Sequence, residues 1–283
     1  MTPTPLRFAV VGDPVAHSRS PAMHAAAYRT LGLPHRYEAI RADADELPNV
    51  VRRLRDGMYA GLNVTVPHKE RVLSLADSLD ESARVAAAAN TLVRAADGSV
   101  VAHNTDAPAL ADELRRLGPD LPWREGRALV LGSGGAARAA VTALGVHLGV
   151  RDIAVRARSF GDATRREAFA RSTPTAVRTG PWSASANDEA ETLAIVQATS
   201  AGMQGADPGE EVARVVAWET LPARAVALDV VYAPRDTPWL RAARARGLRC
   251  DNGLGMLARQ GALALELWLG VRAPLEAMRA AIE

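Results

Sequence analysis

ALVLGSGGAARAAV, residues 128–141, is the stretch that decides the fold. A short apolar run ends in glycine, a glycine-rich turn follows, and an alanine-rich segment with helical composition comes next. Gly132, Gly134 and Ala137 satisfy the spacing G-x-G-x-x-G/A. Only glycine lets a backbone approach a pyrophosphate closely, and the helix that follows offers unpaired N–H groups and the positive end of its dipole. Outside a strand–turn–helix context the same spacing means no more than a tight turn. Here the context is complete, and it predicts a dinucleotide-binding α/β unit.

Working outward, apolar runs at 152–157, 175–179, 193–199 and 225–232 read as further strands, with helices between most of them. Upstream, FAVVG (8–12), HRYEAI (35–40) and AGLNVTVP (60–67) read as strands. NTLVRAADGSVVAHNTD (90–106) reads as a hairpin turning at Asp97-Gly98. SPAMHAAAYRTLG reads as a helix with Ser20 as N-cap, Pro21 in the first turn and Gly32 after its end. DELPNVVRRLRDG reads as a second helix closed by Gly57, and 107–117 as a third. The alternation predicts an α/β protein with mainly parallel sheets. A chain of 283 residues suits about two domains. GPDLPWREG (118–126), rich in Gly and Pro, has the composition of a domain boundary.

The formal charge is +2, and the arginines are interspersed with Asp and Glu. There is no basic run interleaved with aromatics, which argues against a nucleic-acid partner. The longest apolar stretch, 253–271, contains Arg259, Gln260 and Glu266, which argues against a membrane span. The first residues are broken too early by Gly and Pro for a signal peptide. A single cysteine, Cys250, excludes an intramolecular disulfide, and a cytoplasmic setting is expected. His17 and His24 lack metal-ligand spacing, so they read as structural and no metal is expected.

One lysine stands among 34 basic residues: Lys69, in NVTVPHKER (63–71). Arginine supplies a positive charge everywhere else. Lysine alone of the two can give up a proton in catalysis. Lys69 follows Pro67 just past a strand's C-terminal end, where ligands gather in open α/β sheets. Asp106, in HNTD, offers a carboxylate to orient the ammonium, and reads equally as a turn or cap residue before the next helix. Ser18 and Ser20 open a helix, where two hydroxyls and a dipole end can cradle a carboxylate. The strand after the glycine turn ends without an acidic residue and carries Arg156 and Arg158. A cation there suits a 2′-phosphate, so NADP is expected rather than NAD.

Taken in order, AHSRSP, NVTVPHK, ANTLV, HNTD, GSGGAAR, QATSAGM, LDVVYAPRDTP and DNGLGMLARQ resemble the motifs of the shikimate dehydrogenase family over nearly the whole chain. The resemblance implies reversible reduction of 3-dehydroshikimate to shikimate with NADPH. It implies a substrate domain, 1–106, with a mixed, mainly parallel sheet, completed by C-terminal helices 253–283. A Rossmann-type doubly wound domain, 107–252, would bind NADP(H), with a cleft between the two. Lys69 and Asp106 would form the catalytic pair, and Ser18 and Ser20 would hold the substrate carboxylate. Asn63, Thr65, Asn90, Tyr232 and Gln260 would line the substrate pocket. Gly132, Gly134, Gly135 and Ala136 would line the pyrophosphate turn, with Arg156 at the 2′-phosphate, Arg158 nearby, and Thr199, Gly253 and Met256 beside the cofactor.

This sequence departs from the family's pattern. Val155-Arg156-Ala157 stands where Asn-Arg-Thr is frequent, Gln197 where Asn is usual, and Ala107-Pro108 follow the HNTD segment. Such changes leave open a quinate or aminoshikimate dehydrogenase of the same fold, possibly NAD-using. Ser20 speaks for shikimate, because relatives preferring quinate often carry threonine there. A non-catalytic NADP(H)-binding regulator would have lost part of the proton-transfer pair. The chain is expected to act on a small molecule as a monomer or homodimer.

Overall fold

The computed structural model describes residues 4–183 and 189–283. The chain forms two compact units, Met1–Asp106 with Leu257–Glu283, and Ala107–Met256.

The first unit contains β1 (Arg7–Gly12), α1 (Ser20–Thr30), β2 (Arg36–Arg41), α2 (Leu47–Arg55), β3 (Gly61–Val64), β4 (Ser78–Leu79), α3 (Glu81–Ala86), β5 (Thr91–Arg94) and β6 (Val100–His103). Its sheet runs β2-β1-β3-β5-β6-β4. β2 and β3 flank β1 in parallel, while the β5–β6 hairpin is antiparallel and makes the sheet mixed. In α2, Leu47, Val50, Val51 and Leu54 are buried while Arg52, Arg53 and Arg55 lie on the other faces, the helical period that covers one side of a sheet. Ser20 sits inside the first turn of α1 rather than at its cap. Arg19 takes the cap position, and the Ser18 hydroxyl accepts a hydrogen bond from the Ser20 N–H at 3.2 Å. The sequence reading missed β4 and α3, which are too short to show a period.

α4 (Asp106–Leu117) opens the second unit's run of elements: β7 (Arg127–Leu131), α5 (Gly135–Thr142), β8 (Asp152–Arg156), α6 (Ala163–Arg171), β9 (Arg178–Gly180), β10 (Thr192–Gln197), α7 (Glu210–Arg214), β11 (Val226–Asp229), α8 (Pro238–Ala245) and β12 (Arg249–Asp251). α9 (Leu254–Leu269) and α10 (Leu275–Ala280) end the chain. The second sheet is parallel throughout, in the order β12-β11-β10-β7-β8-β9. The order reverses at β7, which is the doubly wound arrangement. Alternate residues serve opposite faces. Ala128 and Val130 join the core that includes α4 and α5, whereas Leu129 and Leu131 join the core that includes α7 and α8.

Two sequence-based boundaries move. Residues 118–126 do not separate domains: Leu121 is buried in the second unit's core and Trp123 packs on it. Residues 253–256 fall within the second unit, with Met256 in that same core. The strand expected at 175–179 shrinks to Arg178–Gly180, an edge strand.

Among the described residues no helix is long and apolar enough to cross a membrane. α9 instead carries the half-buried Trp268, which stacks on Phe8 at 5.0 Å and donates from Nε1 to the Leu92 carbonyl at 3.0 Å. Gly61 lets it in, because a Cβ there would lie 2.2 Å from that Nε1. Gly61→Ala is therefore expected to lower unfolding free energy by about 1–3 kcal/mol, the range for overpacking a core. Urea titration checks this, and an unchanged midpoint would contradict the packing role.

Candidate active site

Lys69 stands on the segment that leaves β3, pinned by its own carbonyl, which accepts the Ala89 N–H at 2.7 Å. Asp106 is the first residue of α4. Between them the Lys69 Nζ donates to Asp106 Oδ2 at 2.7 Å, with the side chains only 15% and 4% exposed. Such a pair is charge-assisted and partly desolvated. The other carboxylate oxygen, Oδ1, accepts from Asn90 Nδ2 at 3.0 Å. The Asn90 Oδ1 accepts the Thr105 backbone N–H at 2.8 Å, which fixes the amide so that its NH₂ faces Asp106. That NH₂ also lies 3.2 Å from Gln260 Oε1, while Gln260 Nε2 donates to the Leu257 carbonyl at 2.8 Å.

Asn63, on β3, is more fully occupied than a direct ligand-binding role suggests. Its Nδ2 donates to the Asn90 carbonyl and to Thr91 Oγ1, both at 3.1 Å, and its Oδ1 accepts from the Tyr37 hydroxyl at 2.7 Å. Burial holds the Tyr37 hydroxyl well above the usual phenol range, so it stays a donor. Tyr37 stacks on His24 at 4.2 Å. Burial pushes His24 down to about 3, so the ring is neutral, as its structural reading requires. Thr65 is half-buried next to Gly12 and gives its N–H to the Val11 carbonyl at 2.9 Å. Lys69, Asp106, Asn90, Gln260 and Asn63 thus belong to one polar assembly in the first unit. The sequence reading overlooked Tyr37, Thr91 and Thr105, which complete it.

In the second unit, Gly132 adopts φ +127°, and a Cβ there would lie 2.8 Å from the Ala198 carbonyl oxygen. Gly134 caps α5, and a Cβ on it would meet nothing within 4 Å. Gly135 and Ala136 follow as the first turn of α5. The turn is therefore forced at Gly132 and roomy at Gly134, which fits a pyrophosphate laid on a helix N-terminus.

The two arginines at the end of β8 have different surroundings. Arg156 does not project from the strand end. It is 4% exposed, its Nη1 donates to Glu189 Oε1 at 2.7 Å, and Glu189 Oε2 accepts the Ala217 N–H at 2.8 Å. Removing one member of such a buried pair typically costs about 3–5 kcal/mol. Arg158 is the exposed one. It lies over the Trp182 ring at 4.6 Å and pairs with Asp207 and Glu211 at 2.9 and 2.8 Å. Exposed pairs of that kind are worth only about 0–1 kcal/mol.

A second buried network joins the ends of β10 and β11. Gln197 donates to the Ala201 carbonyl at 2.9 Å and to Asp229 Oδ1 at 3.2 Å, and accepts the Thr199 N–H at 2.6 Å. Asp229 also accepts the Val231 N–H at 2.9 Å and the Thr237 hydroxyl at 2.6 Å. It thereby fastens the segments that carry Thr199 and Tyr232. Gly253 sits against the same region, since a Cβ there would lie 2.2 Å from the Val230 carbonyl oxygen.

Residues 10–92 match the substrate binding domain of shikimate dehydrogenase, and residues 253–283 match the shikimate 5′-dehydrogenase C-terminal domain. A shikimate dehydrogenase (NADP(+)) from Methylobacterium radiotolerans is 42% identical over 271 residues, covering 95% of this chain and 93% of that one. The chain belongs to the shikimate dehydrogenase family. Among solved structures, the shikimate 5-dehydrogenase of Thermus thermophilus in complex with NADP(H) and shikimate superposes with a TM-score of 0.83 at 38% identity, covering 98% of both chains. A 5-ketofructose reductase of Gluconobacter superposes with a TM-score of 0.80 at 29% identity, covering 99% of this chain and 98% of that one. Both family matches include residues that the assembly around Lys69 draws on, from Asn63 to Asn90 and at Gln260.

Burial raises the Asp229 carboxyl to about 7, against the pull of its Thr237 and Val231 donors. The same group ionises above its ordinary 3.8 in the unfolded chain. Between those values the folded state holds a proton that the unfolded state has lost, so stability falls as pH rises through the window. Asp229→Asn removes that fall. From about pH 5 to about pH 7 the variant's unfolding free energy is expected to gain roughly 2 kcal/mol on the wild type. Urea midpoints at the two values read this directly, and a pH-independent difference would contradict it.

Proposed function

We propose that this chain catalyses the reversible, NADP-dependent interconversion of 3-dehydroshikimate and shikimate, a step of aromatic amino-acid biosynthesis. One observation carries the reading: the only lysine of the sequence lies in a partly buried pair with Asp106, held from behind by Asn90. A regulator has no need of a proton donor at that place. Bound NADPH supplies the hydride that reduces the ketone carbon.

The first unit's residues do the rest. Ser18 and Ser20, at the start of α1, take the substrate carboxylate, where hydroxyls and a helix dipole favour an anion. As the ketone oxygen gains negative charge, Lys69 gives it a proton, and in oxidation Lys69 takes that proton back. The balance is one ketone, one NADPH and one proton for one alcohol and one NADP⁺. Asp106 keeps the ammonium aimed and accepts from a ring hydroxyl, while Asn90, Gln260, Asn63 and Thr65 line the pocket. In the second unit, Gly132, Gly134, Gly135 and Ala136 form the pyrophosphate turn, Thr199, Gly253 and Met256 lie beside the cofactor, and Tyr232 contributes to the substrate pocket. The reading also places the protein in the cytoplasm, as a monomer or homodimer.

Lys69→Arg keeps the charge and removes the exchangeable proton. Its kcat is expected to fall about 10²–10⁴-fold, the usual worth of positioned proton transfer, with circular dichroism unchanged. Near wild-type turnover would remove the role given to Lys69. Shikimate and quinate, each tried with NADP⁺ and with NAD⁺, test the substrate and cofactor together. The strongest turnover is expected with shikimate and NADP⁺. Turnover confined to quinate or to NAD⁺ would contradict the reading.

A further inference from the structure

α4 carries a second buried acid two turns beyond Asp106. Glu113 is 1% exposed, and acids are almost never buried so deeply unless they are paired. Its Oε2 accepts from Arg116 Nε at 2.8 Å. The Arg116 side chain is 36% exposed and reaches on to Asp251 Oδ2 at 2.5 Å, so that cation has a second anion and access to water.

The other neighbour of Glu113 is the start of α9. A Cβ on Gly255 would lie 2.4 Å from Oε2 and 2.8 Å from Oε1, so both carboxylate oxygens lie against the first turn of that helix. The N–H groups of a first turn have no acceptor inside their helix, and the positive end of the dipole is there, so an anion is favoured. The residues just before are fastened as closely. Asp251 Oδ1 accepts the Asn252 N–H at 2.8 Å, Asn252 Oδ1 accepts the Leu254 N–H at 3.0 Å, and Gly253 donates to the Val231 carbonyl at 3.2 Å. Met256, next after Gly255, is 7% exposed in the core that includes Leu110 and Leu114 of α4. Residues 251–256 are thus held between the segment after β11 on one side and α4 on the other.

We infer that Glu113 is a positioning residue for hydride transfer: its carboxylate fixes the first turn of α9, and with it the Gly253–Met256 segment beside the nicotinamide half of the dinucleotide. The inference rests on the NADP reading above and on the place given there to Gly253 and Met256. Glu113 acts through the backbone rather than on the cofactor itself. It keeps the helix start from drifting when the nicotinamide ring docks. Position 255 is glycine because a side chain there would displace the carboxylate.

Glu113→Gln keeps the shape and removes the charge, and Arg116 keeps Asp251 as its partner. Mixing the NADPH complex of the whole protein with 3-dehydroshikimate in a stopped-flow instrument reads the hydride step as the loss of NADPH absorbance. That step is expected to slow about tenfold or more, because small misplacements of reacting atoms are costly. Gly255→Ala presses on the same contact from the other side and is expected to slow the step likewise. In both variants the Kd of adenosine 2′,5′-bisphosphate, which lacks the nicotinamide half, is expected to stay within about twofold of the wild type. A hydride step as fast as the wild type's in both variants, or bisphosphate binding weakened as much as the hydride step is slowed, would overturn the assignment while leaving the reaction as read. A wild type that passes no hydride to 3-dehydroshikimate would overturn the functional reading and the assignment together.

Discussion

A lysine ammonium that is mostly withdrawn from water needs an anion within hydrogen-bond distance, and that requirement organises the first unit. Lys69 has Asp106 at 2.7 Å. Asp106 in turn is buried and depends on Asn90, whose orientation the Thr105 N–H sets. These residues come from the exit of β3, the entry to β5 and the start of α4, with Gln260 added from α9. The mixed sheet exists, in this sense, to bring distant segments to one edge. Breaking the pair from either side leaves a partly desolvated charge without compensation, so stability and chemistry are coupled there.

The second unit meets a different constraint, close approach. Gly132 is the residue that a side chain would drive into the Ala198 carbonyl, and it also ties the turn to β8. Around it, buried polar groups rather than apolar ones hold the strand ends. The Gln197–Asp229–Thr237 network fixes two loops, and Arg156 with Glu189 anchors a third segment. Polar networks of this kind are costly when half-satisfied, and here each carboxylate has donors on both of its oxygens.

The sequence was legible where the physics is local. The glycine turn, the hairpin at Asp97-Gly98 and the left-handed Gly32 and Gly57 follow from backbone conformation alone, and the structure shows them as read. Lys69 could be singled out by its solitude among arginines, and the carboxylate it needs stands at Asp106. What resisted reading was non-local. Tyr37, Thr91 and Thr105 act through hydrogen bonds to side chains from other segments, and no spacing in one sequence reveals them. The partner of Arg156 was hidden for the same reason, because only tertiary structure brings Glu189 to it. The segment 118–126 misled because Pro and Gly mark a tight connection as readily as a domain boundary.

The central claim is that Lys69 transfers a proton rather than merely placing a charge. Chemical rescue of Lys69→Ala tests it most directly, because the cavity left by the side chain can admit a small base from solution. The account predicts that primary amines restore shikimate oxidation in a concentration-dependent way, while guanidine at the same concentrations does not. Rescue by guanidine as strong as by amines would mean that charge alone suffices there, and failure of every amine to restore turnover would also contradict the account.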